Sequence, residues 1–231
     1  MSGSLTFTRL NEIKMTPQQA AAALAAVAYH NPSRNPSSTD RNVRFTLAET
    51  YSSYTTQSGS CTVGVVPVND PPDITISQDV LNFVEDGPPL HLAPALTLFD
   101  VDSTDMSGAE VWIEPEVDKD LLFFPPGALE GLSVMSQTVS DFRLRLYPLA
   151  SIIDYQAALR KVQFKSFNQN PISLNRTLRV QVTDVAAADS IGGSATAFAN
   201  RSITITPVND APVRPTFALH AQIVPLYLLW V

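Results

Sequence analysis

The string VPVNDPPD at residues 66–73 returns, almost letter for letter, as TPVNDAPV at residues 206–213. Each copy follows an alternating apolar run and carries Val-Asn-Asp, one variable residue and then Pro. One such string is a turn; two of them, 140 residues apart, punctuate a chain of repeated units. A second match lies at an offset of 135, where AALAAVAYHNPSRNPSSTDRNVRFTL (22–47) sets against AALRKVQFKSFNQNPISLNRTLRVQV (157–182). Ala22/Ala157, Leu24/Leu159, Val27/Val162, Asn35/Asn170, Pro36/Pro171, Arg41/Arg176 and Arg44/Arg179 are identical pairs. The change of offset from 135 to 140 places about five extra residues in the second copy, near Gly192 to Ala199. Residues 74–140 have no counterpart upstream. The expected organisation is a partial first unit over 1–68, a linker at 69–73, a complete unit over 74–208, and a second linker with an apolar tail over 209–231.

Inside each unit the apolar residues recur with a period of two: Val43/Phe45/Leu47, Phe142/Leu144/Leu146, Leu178/Val180/Val182 and Ile203/Ile205. One buried and one wet face is how the strands of an antiparallel sandwich read. Two helical stretches break that pattern at equivalent places. TPQQAAAALAAV has Thr16 as cap and Pro17 in the first turn, and DYQAALRKV has Asp154 as cap. Eighteen prolines against nine glycines fit short elements joined by rigid turns. The expected fold is all-β: Greek-key, immunoglobulin-like β-sandwich repeats, one complete and one partial, with a short helical turn in each.

A net charge of −7 argues against nucleic acid as a partner. The acids are unevenly placed: 13 of them and one base, Lys119, lie between Asp70 and Asp120. Seven bases and one acid, Asp154, lie between Phe142 and Val180. An acidic window is either a solvated face or a site for a hard cation, because Ca²⁺ takes six to eight oxygens, several of them carboxylate. Cys61 is the single cysteine, so no disulfide framework or thiolate metal set exists, and it is expected half-buried in an alternating strand. The N-terminal stretch lacks the apolar core of a signal peptide. The C-terminal FALHAQIVPLYLLWV, broken by His220, Gln222 and Pro225, is too short to span a bilayer. Both ends read as cuts from a longer chain.

No catalytic constellation emerges. His30, His91 and His220 are scattered, and there is no phosphate-cradling glycine loop, no G-x-S-x-G and no H-E-x-x-H. The expectation is a protein that is not an enzyme. Oxygen donors gather differently, at strand ends and linkers: Glu85 in FVEDGPP, Asp100 and Asp102 in LFDVDS, Asp184 in QVTD, and Asn69/Asp70 and Asn209/Asp210 in the repeated strings. Asp100 and Asp102 are expected on one side of a strand end, since side chains alternate along a strand. Two carboxylates so held repel each other unless a cation lies between them.

The order V-E-D-G, D-V-D, I-D-Y-Q, V-T-D and P-V-N-D-A-P resembles a cadherin-like repeat, over about 210 of the 231 residues. The segment running from the D-Y-x-A-L run through N-P to R-x-L-x-V-x-V-x-D is similar to the large tandem repeats of bacterial and protist surface proteins. In that family calcium binds at the junction between successive repeats. The resemblance implies that Asn69 and Asp70 join Asp100, Asp102 and Asp184 at the upper end of the complete unit. It implies that Glu85, Asp154, Asn209 and Asp210 serve the lower end together with a following repeat. Gln156 stands where the family has Glu, and the first unit offers Gln19, Ala21 and Glu49 at its equivalent positions. The linker carries Pro71 after Asp70, with Pro67 or Pro207 in the place of a leading Asp. Such a depleted junction belongs with weak extracellular calcium modules, at about 10⁻⁴ to 10⁻³ M.

These features give an expectation of function: part of an extracellular, calcium-binding, cadherin-like repeat protein at the cell surface, acting in adhesion or as a calcium-stiffened spacer. Its partners would be neighbouring repeats and another surface protein or glycan. The alternative is a structural or glycan-binding accessory module of a secreted enzyme without a live calcium site; glycan binding calls for a cluster of exposed aromatics on one sheet face, which Tyr51, Tyr54, Trp112 and Tyr147 do not evidently form. The sequons at Asn175 and Asn200 fit a secreted setting, and Arg41 and Arg176 are expected to pack at strand edges.

Overall fold

The two-residue periodicity resolves into β-structure in the computed structural model, which describes residues 5, 15–47, 57–171 and 175–211. In chain order the elements are α1 (Pro17–Ala25), β1 (Arg41–Leu47), β2 (Gln57–Val63), β3 (Asp73–Thr75), β4 (Leu81–Val84), β5 (Leu90–His91), β6 (Thr97–Phe99) and β7 (Asp105–Glu114). They continue as β8 (Asp120–Phe123), β9 (Met135–Ser140), β10 (Arg143–Tyr147), β11 (Ala150–Ser151), α2 (Ile152–Leu159), β12 (Gln163–Ser166), β13 (Asn175–Asp184) and β14 (Thr196–Thr206).

Strands β4-β14-β13-β7-β10-β9 form the large sheet, with β11 paired to the first two residues of β7. Its pairs are antiparallel except β4, which runs parallel to β14. The facing layer consists of β5-β12-β8 and the pair β3-β6. Val111, Ile113, Leu144, Leu146, Leu178, Val182 and Ile203 from the large sheet meet Leu92, Leu96, Leu122 and Phe164 in one core, each at 1% exposure or less. The rings of Phe83 and Phe164 pack edge to face at 5.3 Å. The protein is thus an all-β sandwich.

Both helices begin as their local sequence dictates. Thr16 caps α1 and forms a reciprocal capping box with Gln19, with Pro at the first turn. For α2 the expected cap is displaced. Ser151 is the N-cap, its Oγ accepting from Asp154 N at 3.1 Å, so Asp154 sits in the first turn, where its charge favours the helix dipole. Helix α2 packs on β6, where Gln156 Oε1 accepts from Leu98 N at 2.9 Å.

Two packing expectations are corrected. Arg176 is not at a strand edge: it is 1% exposed and pairs with Asp120, also 1% exposed, tying β13 of one layer to β8 of the other. Arg41, its counterpart in the first unit, reaches back to Ser37 O at 3.0 Å. Cys61 is exposed rather than half-buried. It lies opposite Val43 on the β1–β2 hairpin, where Leu24, Phe45, Leu47, Ser58 and Gly59 line an open apolar hollow. Leu47 is 51% exposed there.

Candidate metal centre

The ten residues of β7 span about 33 Å, and its two ends define the two ends of the sandwich. At one end lie Asp105 and Met106, the end of β13 at Asp184, and the start of β14 at Thr196. At the other lie Glu114, the start of β13 and the end of β14.

The first linker enters at the Asp184 end. It is pinned by the loop between β13 and β14: Asn69 N donates to Ile191 O at 2.9 Å and Ile191 N to Pro67 O at 3.0 Å. The following Gly192 has a φ of +111°, which only glycine adopts without strain. Asn69, 9% exposed, then donates through Nδ2 to Asp184 Oδ2 at 2.9 Å. The other Asp184 oxygen accepts from Ala195 N at 2.6 Å. Asp70 N donates to Asp102 Oδ2 at 3.0 Å.

Asp100 and Asp102 meet for a reason other than strand alternation. Strand β6 ends at Phe99, and Asp100 opens a tight turn in which its Oδ1 accepts from Asp102 N at 3.1 Å and Ser103 N at 3.0 Å. Ser103 Oγ in turn donates to Val185 O, tying this turn to the end of β13. Burial pushes the Asp100 carboxyl up to about 6, and the adjoining Asp102 carboxylate adds to the rise, against the lowering effect of the two N–H donors. Three oxygens stay buried without a hydrogen-bond partner: Asn69 Oδ1, Asp100 Oδ2 and Asp102 Oδ1. These contacts join Asn69 to Asp184, and Asp70 to Asp102 and through it to Asp100, at the same end of the sandwich.

The first unit reaches this end with polar groups that the sequence did not single out. Arg34 Nη2 stands 3.3 Å from Asp70 Oδ1, Asn35 Nδ2 donates to Val101 O at 2.9 Å, and Ser38 Oγ donates to Asp189 Oδ2 at 3.4 Å. Asn35 was visible as a repeat identity, but nothing in its spacing marked it as an inter-unit contact. Among the described residues, no three His, Cys, Asp or Glu side chains are arranged to hold a metal ion as they stand. Both Asp184 oxygens already accept N–H groups, and Asp70 faces a guanidinium.

The opposite end gathers only part of the set expected there. Glu85 is 5% exposed, its Oε2 accepts from Val208 N at 2.7 Å, and its Oε1 is buried without a partner. Asn209 and Asp210 follow directly, exposed. Asp154 is not with them. Ser151 pairs with Asp105 and Ile152 N bonds Thr104 O at 3.0 Å, so the first turn of α2 lies towards the Asp100 end. The sheet crossing between the two ends separates Asp154 from Glu85.

Much of the acidic window is used otherwise. On the outer face of the large sheet Glu110 bonds Arg145 (2.7 Å) and Arg143 (2.9 Å), and Glu114 meets Arg179 at 3.1 Å. The Arg145 hydrogen bond is the largest cause holding the Glu110 carboxyl below its ordinary range. Trp112 lies under the Arg143 guanidinium, 4.8 Å from the ring centroid. Tyr147 is 38% exposed, while Tyr51 and Tyr54 lie outside the described residues.

No protein-family model matches the chain, and neither does any curated protein sequence. Among solved structures, it is similar to the cohesin module from a Clostridium perfringens ATCC13124 family 33 glycoside hydrolase. Identity is 13%, 60% of this chain and 99% of that one are covered, and the TM-score is 0.31. A score that low supports no inference, and the β-sandwich assignment rests on the strand order and core. No described helix is long and apolar enough to cross a membrane.

Proposed function

We propose that this chain belongs to an extracellular cadherin-like repeat protein and that Asn69, Asp70, Asp100, Asp102 and Asp184 hold a calcium ion where the first unit meets the second. The reading is carried by the three buried, unpartnered oxygens of Asn69, Asp100 and Asp102. Oxygen-only donors at a strand-and-linker junction suit a hard cation, and unsatisfied buried oxygens are costly unless something positive faces them. Bound calcium supplies the charge that lets Asp100 and Asp102 ionise side by side. The residues themselves orient the linker: Asn69 through Asp184, Asp70 through Asp102. Besides the backbone bonds that pin the linker, the described contacts of the first unit at this joint include those of Arg34, Asn35 and Ser38, and a bridging ion would stiffen it. Glu85, Asn209 and Asp210 are the proposed counterpart for a following repeat. The role is non-catalytic spacing or adhesion, with neighbouring repeats and a surface protein or glycan as partners and no nucleic acid.

A second reading, a structural accessory module with no live calcium site, is favoured by one observation. Arg34 already faces Asp70, and both carboxylate oxygens of Asp184 are engaged by N–H donors. Thermal unfolding with and without calcium separates the two. With a dissociation constant of about 10⁻⁴ to 10⁻³ M, 10 mM calcium stabilises the fold by about 1.4 to 2.7 kcal/mol, a rise of several degrees in melting temperature. Asp100→Asn with Asp102→Asn should abolish the rise while slightly raising calcium-free stability. An unchanged melting temperature for the unmutated chain in millimolar calcium leaves the accessory-module reading without a live calcium site.

A further inference from the structure

Asn175-Arg176-Thr177 and Asn200-Arg201-Ser202 fall on adjacent strands, β13 and β14, in a register that sets Thr177 directly opposite Ser202. Side chains alternate along a strand, so each acceptor asparagine shares the outer face with its own hydroxyl residue. The arginine between them turns inward. Arg176 meets Asp120, and Arg201, 8% exposed, donates to Asp79 O at 2.8 Å and Leu92 O at 2.9 Å. Asn175, Asn200 and Ser202 are exposed and Thr177 half-buried. Asn175 faces Thr204 and Asn200 faces Arg179, so the two acceptors are offset by four residues, about 14 Å apart on one surface.

The fold does not require asparagine at these places. Offset by 135 and 140, the equivalent positions of the first unit hold Asp40 and Ser60, whereas the arginine of the first sequon is kept as Arg41. The outward acceptor position therefore varies between the units, while the inward arginines of the complete unit are held by their own partners, Asp120 for Arg176 and the carbonyls of Asp79 and Leu92 for Arg201.

We infer that the outer face of β13 and β14 is a modification surface on which Asn175 and Asn200 both carry N-linked oligosaccharide. The co-reactant is a lipid-diphosphate-linked oligosaccharide. The asparagine Nδ2 loses a proton and bonds to the anomeric carbon, the carbon–oxygen bond to the diphosphate breaks, and the lipid diphosphate leaves with that electron pair. Transfer takes place on the unpaired chain, so the ladder is no obstacle; the folded sheet need only leave room for the product. In the sheet, Asn200 stands in one cross-strand row with Arg179, Trp112 and Arg143. A glycan at Asn200 would crowd that row and deny it to a docking protein.

The inference rests on the extracellular setting proposed above but not on calcium. The test is to secrete the full chain behind a leader from a glycosylating eukaryotic cell and to weigh it before and after an amidase that releases Asn-linked sugar. Two glycans are expected, Asn175→Gln and Asn200→Gln removing one each. Thr177→Ala and Ser202→Ala should reproduce the pattern should either glutamine variant fail to fold. A chain with no glycan, or with only one, overturns the shared surface. A glycosylated chain without a calcium response counts against the calcium reading alone, and a calcium-responsive chain without glycan against this one alone.

Discussion

Replacing Arg176 by Met should be among the most damaging single substitutions in the sandwich. Arg176 and Asp120 are each 1% exposed, and they join strands of opposite layers. Asp120 Oδ1 has no hydrogen-bond partner, so the guanidinium is the principal charge answering that carboxylate. Removing one member of a buried pair leaves the other uncompensated, at a cost of about 3–5 kcal/mol. For a sandwich of this size that is a fall of roughly 10–20 °C in melting temperature. Arg41→Met, at the equivalent position of the first unit, should cost less than about 0.5 kcal/mol, because the bond that Arg41 makes among the described residues, to Ser37 O, is exposed. The decisive variant is the double substitution Arg176→Met with Asp120→Leu, which removes both charges and fills the space with apolar atoms. It should recover most of the loss, since apolar replacements of buried pairs are commonly neutral or stabilising. Urea unfolding followed by far-UV circular dichroism would measure these chains together with Asp120→Leu alone, which closes the cycle. A single substitution costing under about 1 kcal/mol, or a double whose loss is the sum of the singles, refutes the argument that desolvated charge dominates here.

The remaining predictions concern the linker end. Asp100 has its carboxyl raised to about 6 in the fold, so the folded state holds that proton more tightly than the unfolded chain. Its contribution to calcium-free stability is therefore full below about pH 4 and lost as pH rises through about 6. Asp100→Asn should flatten that part of the stability–pH curve, and an unaltered curve would remove Asp100 as its source. Gly192→Ala imposes a φ of +111° on a residue with a Cβ, at a cost of about 1–3 kcal/mol. It should speed hydrogen exchange at the Asn69 and Ile191 amides, and unchanged exchange would show that the loop does not pin the linker.

Strand identity was legible because a period of two needs only local sequence: Leu178, Val180 and Val182 are all buried where alternation put them. The gathering of Asn69, Asp100, Asp102 and Asp184 could be anticipated from strand ends, but its local cause could not. Asp100 turns the chain through two N–H bonds to its own carboxylate, a short-range device that alternation does not describe. Asp154 shows the opposite failure. Its spacing marked a helix start correctly, yet Ser151 three residues earlier made the better cap, having a hydroxyl free of the charge that suits the first turn itself. Its assignment to the Glu85 end failed because spacing along the chain does not say which end of a sheet a helix returns to. That is fixed by the pairing of Ala150 and Ser151 with Met106 and Asp105.

The arginines make the sharper case. Arg41 and Arg176 are identical in the repeat, and both sit at the start of a strand in an antiparallel hairpin. Sequence assigns them one role; the fold assigns two, because a buried guanidinium is tolerable only where a carboxylate is delivered to it. Asp120 is delivered by β8, whose pairing with β12 sets Asp120 opposite Ser166 and brings its carboxylate under β13. Nothing in the local sequence of either strand contains that long-range meeting. A repeated residue therefore reports a repeated backbone position, while its chemistry is decided by the neighbour supplied from the other layer. The same reasoning applies to the two linkers. Asn69 and Asn209 both donate to the carbonyl of the aspartate that follows, at 3.3 and 3.4 Å, but Asn69 is buried against Asp184 and Asn209 is exposed. The Asn-Asp string is a backbone device at both places, and it becomes a candidate cation site where a second unit closes over it.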